Sequence, residues 1–212
     1  GVRVPDMKPP NLLFLYTDEQ AMGTLAAYGN RRIEMPNLNR LAEQGTVFEQ
    51  TYVTQPVCTP SQASLLTGLF PHTHGADRNN APLNYEIPCF PEMISPRTYA
   101  TAHFGKWHLG DEVFPQHGFR EWRSIDDFYR PYYRPWRPRD VPCDYHYFLL
   151  EQGRTPRNGS LFTRGETARF PEALSKPAFL ARESVRFIRE HRTRPFCLFV
   201  NFFEPHMPFF GP

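Results

Sequence analysis

The chain has 212 residues, enough to bury a sizeable core as one domain or two, and its formal charge of +2 implies no polyelectrolyte partner. Its arginines are dispersed among aromatics and prolines, which excludes a nucleic-acid stripe. No apolar run reaches the ~18 residues that a membrane span needs.

Residues 11–16 (NLLFLY) form a short continuous apolar run after Pro9-Pro10. Its length and flanks predict a strand buried on both faces, as in a parallel sheet. It ends abruptly in Asp18-Glu19. Residues 36–45 read as a helix with proline in its first turn and a glycine stop. Residues 47–53 are strand-like, 61–67 a short helix, 90–94 another. Residues 98–104 predict a strand running into Gly105-Lys106-Trp107-His108-Leu109-Gly110. Residues 177–191 predict a helix with Leu180, Ala181, Ser184, Val185 and Ile188 on one face. Residues 196–203 predict a second buried strand, ending before Pro205-His206-Met207-Pro208. Strands alternating with helices indicate an α/β fold with a mainly parallel central sheet flanked by helices.

Prolines number 23, about twice the ~5% average, and they concentrate with aromatics in residues 114–142. That density forbids a helix or a central strand there. Residues 111–160 are therefore read as an ordered excursion lying over the core, either lining a pocket or pinned as a surface loop. Cys58, Cys89, Cys143 and Cys197 are too scattered for a disulfide framework or a zinc knuckle. Cys197 reads as a buried thiol. Cys89 and Cys143 are either buried thiols or partners of each other. The start, residues 1–10, lacks the charged-then-apolar order of a signal peptide.

In open α/β sheets, ligands sit at the carboxyl ends of the strands. Asp18-Glu19, Lys106 with His108, and His206 all fall at such ends. Adjacent carboxylates repel unless a cation lies between them, and hard oxygen donors suit calcium or magnesium. The alternative is that one of them caps the next helix. Lys106 and His108 are two apart, so on an extended segment both face one side, toward an anion. His72, His74, His117, His146 and His191 read as structural. Cys58 precedes Pro60-Ser61 at a helix start, where unpaired amides favour negative charge and would lower a thiol pKa.

The stretch from Val57 to Gly68, VCTPSQASLLTG, resembles the sulfatase signature, in which a cysteine followed by x-Pro-Ser-Arg becomes formylglycine. The block from Gly105 to Gly110 resembles that family's second signature. Asp18-Glu19, residues 35–42 and residues 205–208 also resemble family segments, in family order over almost the whole chain. The resemblance implies an alkaline-phosphatase-like fold, with residues 1–212 as the N-terminal part of the catalytic domain and the sheet incomplete in this chain. It implies hydrolysis of a small sulfate ester, a sulfated sugar among the candidates. Cys58, oxidised by a formylglycine-generating enzyme and hydrated, would attack sulfur with one hydroxyl and expel sulfate with the other. Asp18, Glu19 and residue 58 would hold Ca2+, or Mg2+. Lys106 would neutralise the sulfate, His108 would bond the diol, and His206 would contact the sulfate or protonate the leaving oxygen. Formylglycine sulfatases are often exported, so the periplasm or the exterior is the expected compartment.

Two departures from the family pattern stand out. The arginine four residues after the cysteine is Gln62 here, shorter and uncharged. The family's later metal ligands and its second lysine have no counterpart before Pro212, so a fragment is expected. The alternatives are a phosphate or phosphonate ester hydrolase of the same superfamily, a catalytically silent anion-binding homologue, or a thiol hydrolase using Cys58 directly.

Overall fold

The computed structural model describes residues 9–94 and 97–209; the reading of the chain start rests mainly on residues 1–8, outside that range. In chain order the elements are β1 (Leu12–Thr17), α1 (Pro36–Gln44), α2 (Cys58–Thr67), α3 (Pro71–His74), α4 (Phe90–Met93), β2 (Ala100–Gly105), β3 (Glu121–Arg123), α5 (Asp144–Glu151), α6 (Arg164–Thr167), α7 (Lys176–Glu190) and β4 (Phe196–Phe202). The four strands form one sheet in the order β1-β4-β2-β3, and every pairing is parallel.

The centre of the sheet follows from its sequence. Every β2 residue is buried, and so are the first six of β4. Alternate side chains feed two cores. Phe104, Leu198 and Val200 meet α5 and α7 through Phe148, Leu149, Phe179, Leu180 and Phe187. On the opposite face Phe199 joins Trp107, Phe119, Trp122, Ala63 and Leu66. The fully buried His103 lies between Trp122 and Phe199, with ring centroids 4.6 and 5.6 Å away. Helix α7 starts at Ser175, whose hydroxyl accepts from the Ala178 amide at 3.3 Å. Its buried stripe is Phe179, Leu180, Ser184 and Phe187, so Ala181 and Val185, expected inside, face outward.

Three other expectations change. β1 forms where predicted but is not buried on both faces. It lies at the sheet edge with β4 as its partner, and Leu13 and Leu15 are 47% and 58% exposed. Phe14 on its other side packs on Phe90 and Phe199. Residues 47–53 form no strand. The segment is instead tethered through Tyr28 Oη, which donates to the Phe48 carbonyl at 2.7 Å. Helix α2 begins at Cys58, three residues before the expected start. All four cysteines are free, and Cys89, Cys143 and Cys197 are buried.

The excursion is ordered. Over residues 111–160 it carries the edge strand β3, a single 3-10 turn at Arg130–Tyr132 and α5. Asp111, fully buried, pins it: it accepts from the Arg134 amide at 2.9 Å, from Arg134 Nη1 at 2.7 Å and from Tyr85 Oη at 2.8 Å.

Gly105 ends β2 with φ +113°, and a Cβ there would sit 1.9 Å from the Asn201 carbonyl oxygen. That oxygen accepts from the Lys106 amide at 3.0 Å, while Asn201 Nδ2 donates to the Lys106 carbonyl at 2.7 Å. Gly105→Ala is therefore expected to lower unfolding free energy by about 2 kcal/mol or more, combining a left-handed backbone penalty with a backbone clash. Urea denaturation checks this, and an unchanged midpoint would contradict the packing described.

Candidate active site

The carboxyl ends of β1, β2 and β4 bring four chain segments together. Asp18 follows β1 and is 4% exposed; its amide donates to the Phe202 carbonyl at the end of β4 at 3.2 Å. Lys106 follows β2 and is fully buried. Its ammonium bonds Asp18 Oδ2 and lies 5.8 and 5.6 Å from the ring centroids of Tyr129 and Phe203. Burial alone would lower the lysine pKa, but Tyr129 and Asp18 outweigh it and hold the ammonium charged. Cys58, the first residue of α2, points its Sγ at Asp18 Oδ1 from 3.6 Å. Asp18, Cys58 and His206 present ligand atoms all within 4.8 Å of one another. Glu19 stands beside this group, with Oε1 3.4 Å from His206 Nε2, and its side chain is about half exposed.

The thiol does not behave as the helix start alone suggests. Its pKa is raised: burial is the largest cause, and Asp18 and Glu19 add to it, against the opposing pull of Lys106. Desolvation and two carboxylates outweigh the helix terminus.

His108 reaches the site by a turn rather than along an extended segment, with φ +53°. Glu112 makes the turn possible. Fully buried, it accepts from the Trp107 and His108 amides at 2.8 Å each. Thr59 Oγ1 donates to the His108 carbonyl at 2.8 Å, tying the turn to α2. The ring lies 3.9 Å from the Tyr129 ring at 25°. Nε2 donates to Asn80 Oδ1 at 2.9 Å, and Nδ1 is buried without a partner. Burial, then Lys106 and Arg164, push the imidazole down to about 3, so it is neutral at pH 7. Beside His206 a cavity of about 240 Å³ opens, lined by Arg164, Lys176, Phe203, Glu204 and Pro208. Gln62 is buried, and its Nε2 has no partner.

The family model described as Sulfatase matches residues 10–212. The chain belongs to the sulfatase family. Among curated proteins it is 35% identical over 132 residues to the N-acetylglucosamine-6-O-sulfatase of Bacteroides thetaiotaomicron, covering 59% of this chain and 23% of that enzyme. It is 31% identical over 226 residues to arylsulfatase A of Bos taurus, covering 96% of this chain and 42% of that protein. The chain thus spans less than half the length of these relatives. A solved phosphonate monoester hydrolase of Agrobacterium radiobacter superposes with a TM-score of 0.72 at 23% identity, over 96% of this chain and 42% of that one. The parallel sheet flanked by helices is the alkaline-phosphatase-like fold of these sulfatases, of which the chain covers only a part.

The donors present fit one side of a hard cation's shell. Lys106 occupies Asp18 Oδ2, and Asp18 Oδ1 faces residue 58. Replacing the thiol by a hydrated aldehyde would put oxygen where a soft sulfur stands, while Glu19 adds a second carboxylate. Calcium takes about six to eight oxygens, so further ligands are needed beyond these residues.

Five contributors escaped the sequence reading: Glu112, Asn80, Tyr129, Arg164 and Asn201. Tyr129 had a signal, because lining a pocket is one of the two readings of the aromatic excursion. Glu112 and Asn80 act on the His108 turn, Asn201 from within β4 and Arg164 from the start of α6, and sequence spacing reveals none of these.

A buried neutral histidine also carries a stability signature. Burial pushes His103 down to about 3, as it does His108, while an unfolded histidine titrates near 6.5. The unfolded state then binds more protons at acid pH, so this stability is full above ~6.5 and drains as pH falls toward 3. The urea midpoint is expected to fall between pH 7 and pH 4, and His103→Phe should flatten the slope. A midpoint independent of pH over that window would contradict the burial of both rings.

Proposed function

We propose that the protein carrying this chain hydrolyses sulfate esters at residue 58, with sulfated amino sugars as the substrate class. The observation that carries the reading is the convergence of Cys58, Asp18, Lys106 and His206 at the strand ends of a sulfatase-family sheet. The sugar reading draws on the relative named for N-acetylglucosamine 6-O-sulfate.

In this reading Cys58 is converted to formylglycine, whose hydrate supplies the oxygen nucleophile for sulfur. A divalent cation, Ca2+ or Mg2+, held by Asp18, Glu19 and residue 58, supplies Lewis acidity and a template for sulfate oxygens. Lys106 balances negative charge on the sulfate from a fixed, dehydrated position, where electrostatic stabilisation is strong. Neutral His108, with Nε2 committed to Asn80, keeps the Nδ1 lone pair available to accept a hydrogen bond from the hydrated residue 58. His206 delivers a proton to the departing alcohol oxygen as the sulfur–oxygen bond breaks. The cavity between Arg164 and Glu204 receives the organic part of the ester.

A second reading, phosphonate or phosphate ester hydrolysis, is favoured by the shared fold of the phosphonate monoester hydrolase. Rates on matched aryl sulfate and aryl phosphate esters separate the two. Faster sulfate turnover is expected, and faster phosphate turnover would replace the sulfatase reading. Lys106→Met should lower kcat/KM on the sulfate by about 10²–10³-fold, as removal of one preorganised charge donor does. Activity retained within a few fold would remove Lys106 from the proposed role.

A further inference from the structure

A second cluster of ligand atoms lies apart from the residues of the proposed site. Cys89 Sγ, a Glu92 carboxylate oxygen and a His117 ring nitrogen all fall within 4.8 Å of one another. Cys89 is fully buried and free, and His117 is 4% exposed. Both ring nitrogens of His117 are buried and neither makes a hydrogen bond of good geometry, although Glu92 and the Ile87 backbone stand near the ring. Its Nδ1 stands 3.6 Å from Glu92 Oε2, too far for a good hydrogen bond. A buried histidine with neither nitrogen satisfied is rare in a native interior. Tyr85 and Trp107 hold its ring, with centroids 5.4 and 5.8 Å away.

The backbone aims this group at one point. His117 (φ +49°) and Gly118 (φ +80°) make a left-handed turn pressed on α4. A Cβ at Gly118 would meet Glu92 Cγ at 2.7 Å. Glu92 Oε2 accepts from the Cys89 amide at 2.8 Å, which fixes the carboxylate beside the thiol.

We propose that Cys89, Glu92 and His117 form a zinc-binding site. Thiolate, imidazole and carboxylate together select a borderline-soft divalent ion over calcium or magnesium. Tetrahedral zinc, with bonds of about 2.0–2.3 Å, sets its ligand atoms roughly 3.3–3.8 Å apart, so the spread seen here closes with small side-chain shifts. Glu92, about one-third exposed, gives the ion entry and leaves a fourth position to water. Binding releases the Cys89 thiol proton to solvent and changes no oxidation state. A thiol must lose its proton to ligate, so affinity rises with pH.

The ion would join α4 to the loop before β3. In that loop Gln116 Nε2 donates to the Gly110, Asp111 and Phe114 carbonyls at 3.1, 3.0 and 3.1 Å. The same loop carries Asp111 and Glu112, so the site staples the support under His108 without touching substrate.

The test uses the full chain with Cys58→Ser, which removes the thiol beside Asp18 and Glu19, and titrates it with Co2+. One equivalent is expected to give a thiolate-to-cobalt charge-transfer band, which Zn2+ abolishes by displacement. The band should disappear in the Cys58→Ser, Cys89→Ser protein. Absence of the band while Cys89 is present, or its survival after Cys89→Ser, overturns the site. Glu92→Gln keeps an acceptor for the Cys89 amide and so avoids core disruption. It should weaken Zn2+ binding by at least the 10–100-fold that lost supporting groups cost, and unchanged affinity likewise overturns the proposal.

Discussion

A buried ion pair organises this molecule's chemistry. Lys106 and Asp18 come from the ends of strands that are not neighbours, and β4 separates them in the sheet. Both side chains are almost wholly out of water. Dehydrating two charges costs several kcal/mol per ion, and their attraction offsets that only with good geometry. Removing either partner strands a buried charge, at a cost of about 3–5 kcal/mol. Such a pair is weak evidence for stability as a goal. In the proposed function it holds a fixed cation beside residue 58.

The rest of the fold sets where that cation stands. Gly105 lets the end of β2 lie against Asn201, and Asn201 grips Lys106 by both backbone groups. Glu112 holds the next two amides, so the left-handed turn at His108 is over-determined by its surroundings. Tyr129 closes over both Lys106 and His108. Asp111 and Arg134 anchor the aromatic excursion that supplies Tyr129. These are support contacts, and their effect is to remove freedom from two side chains.

The sequence disclosed strand ends better than it disclosed burial. Apolar runs at residues 11–16 and 196–203 located β1 and β4, and the polar residues after them marked the site's edge. What it could not disclose was strand order. β1 looked like an interior strand because its composition suits one, yet it lies at an edge with Leu13 and Leu15 exposed. Residues 47–53 have the composition of a strand yet form none. Cys58 shows the same limit in electrostatics. The helix start argued for a low thiol pKa, but burial and the carboxylates of Asp18 and Glu19, brought from 40 positions away in sequence, reverse the sign. Glu112 and Asn80 carried no legible signal, because each acts on the His108 turn, whose geometry spacing does not reveal.

Whether residue 58 carries the nucleophile as an aldehyde hydrate is decided by peptide mass spectrometry across residues 57–68, on active protein produced with a formylglycine-generating enzyme. The expected residue 58 has lost one sulfur and two hydrogens and gained one oxygen. Sulfate ester turnover by protein that retains an intact Cys58 thiol would contradict an aldehyde-hydrate nucleophile.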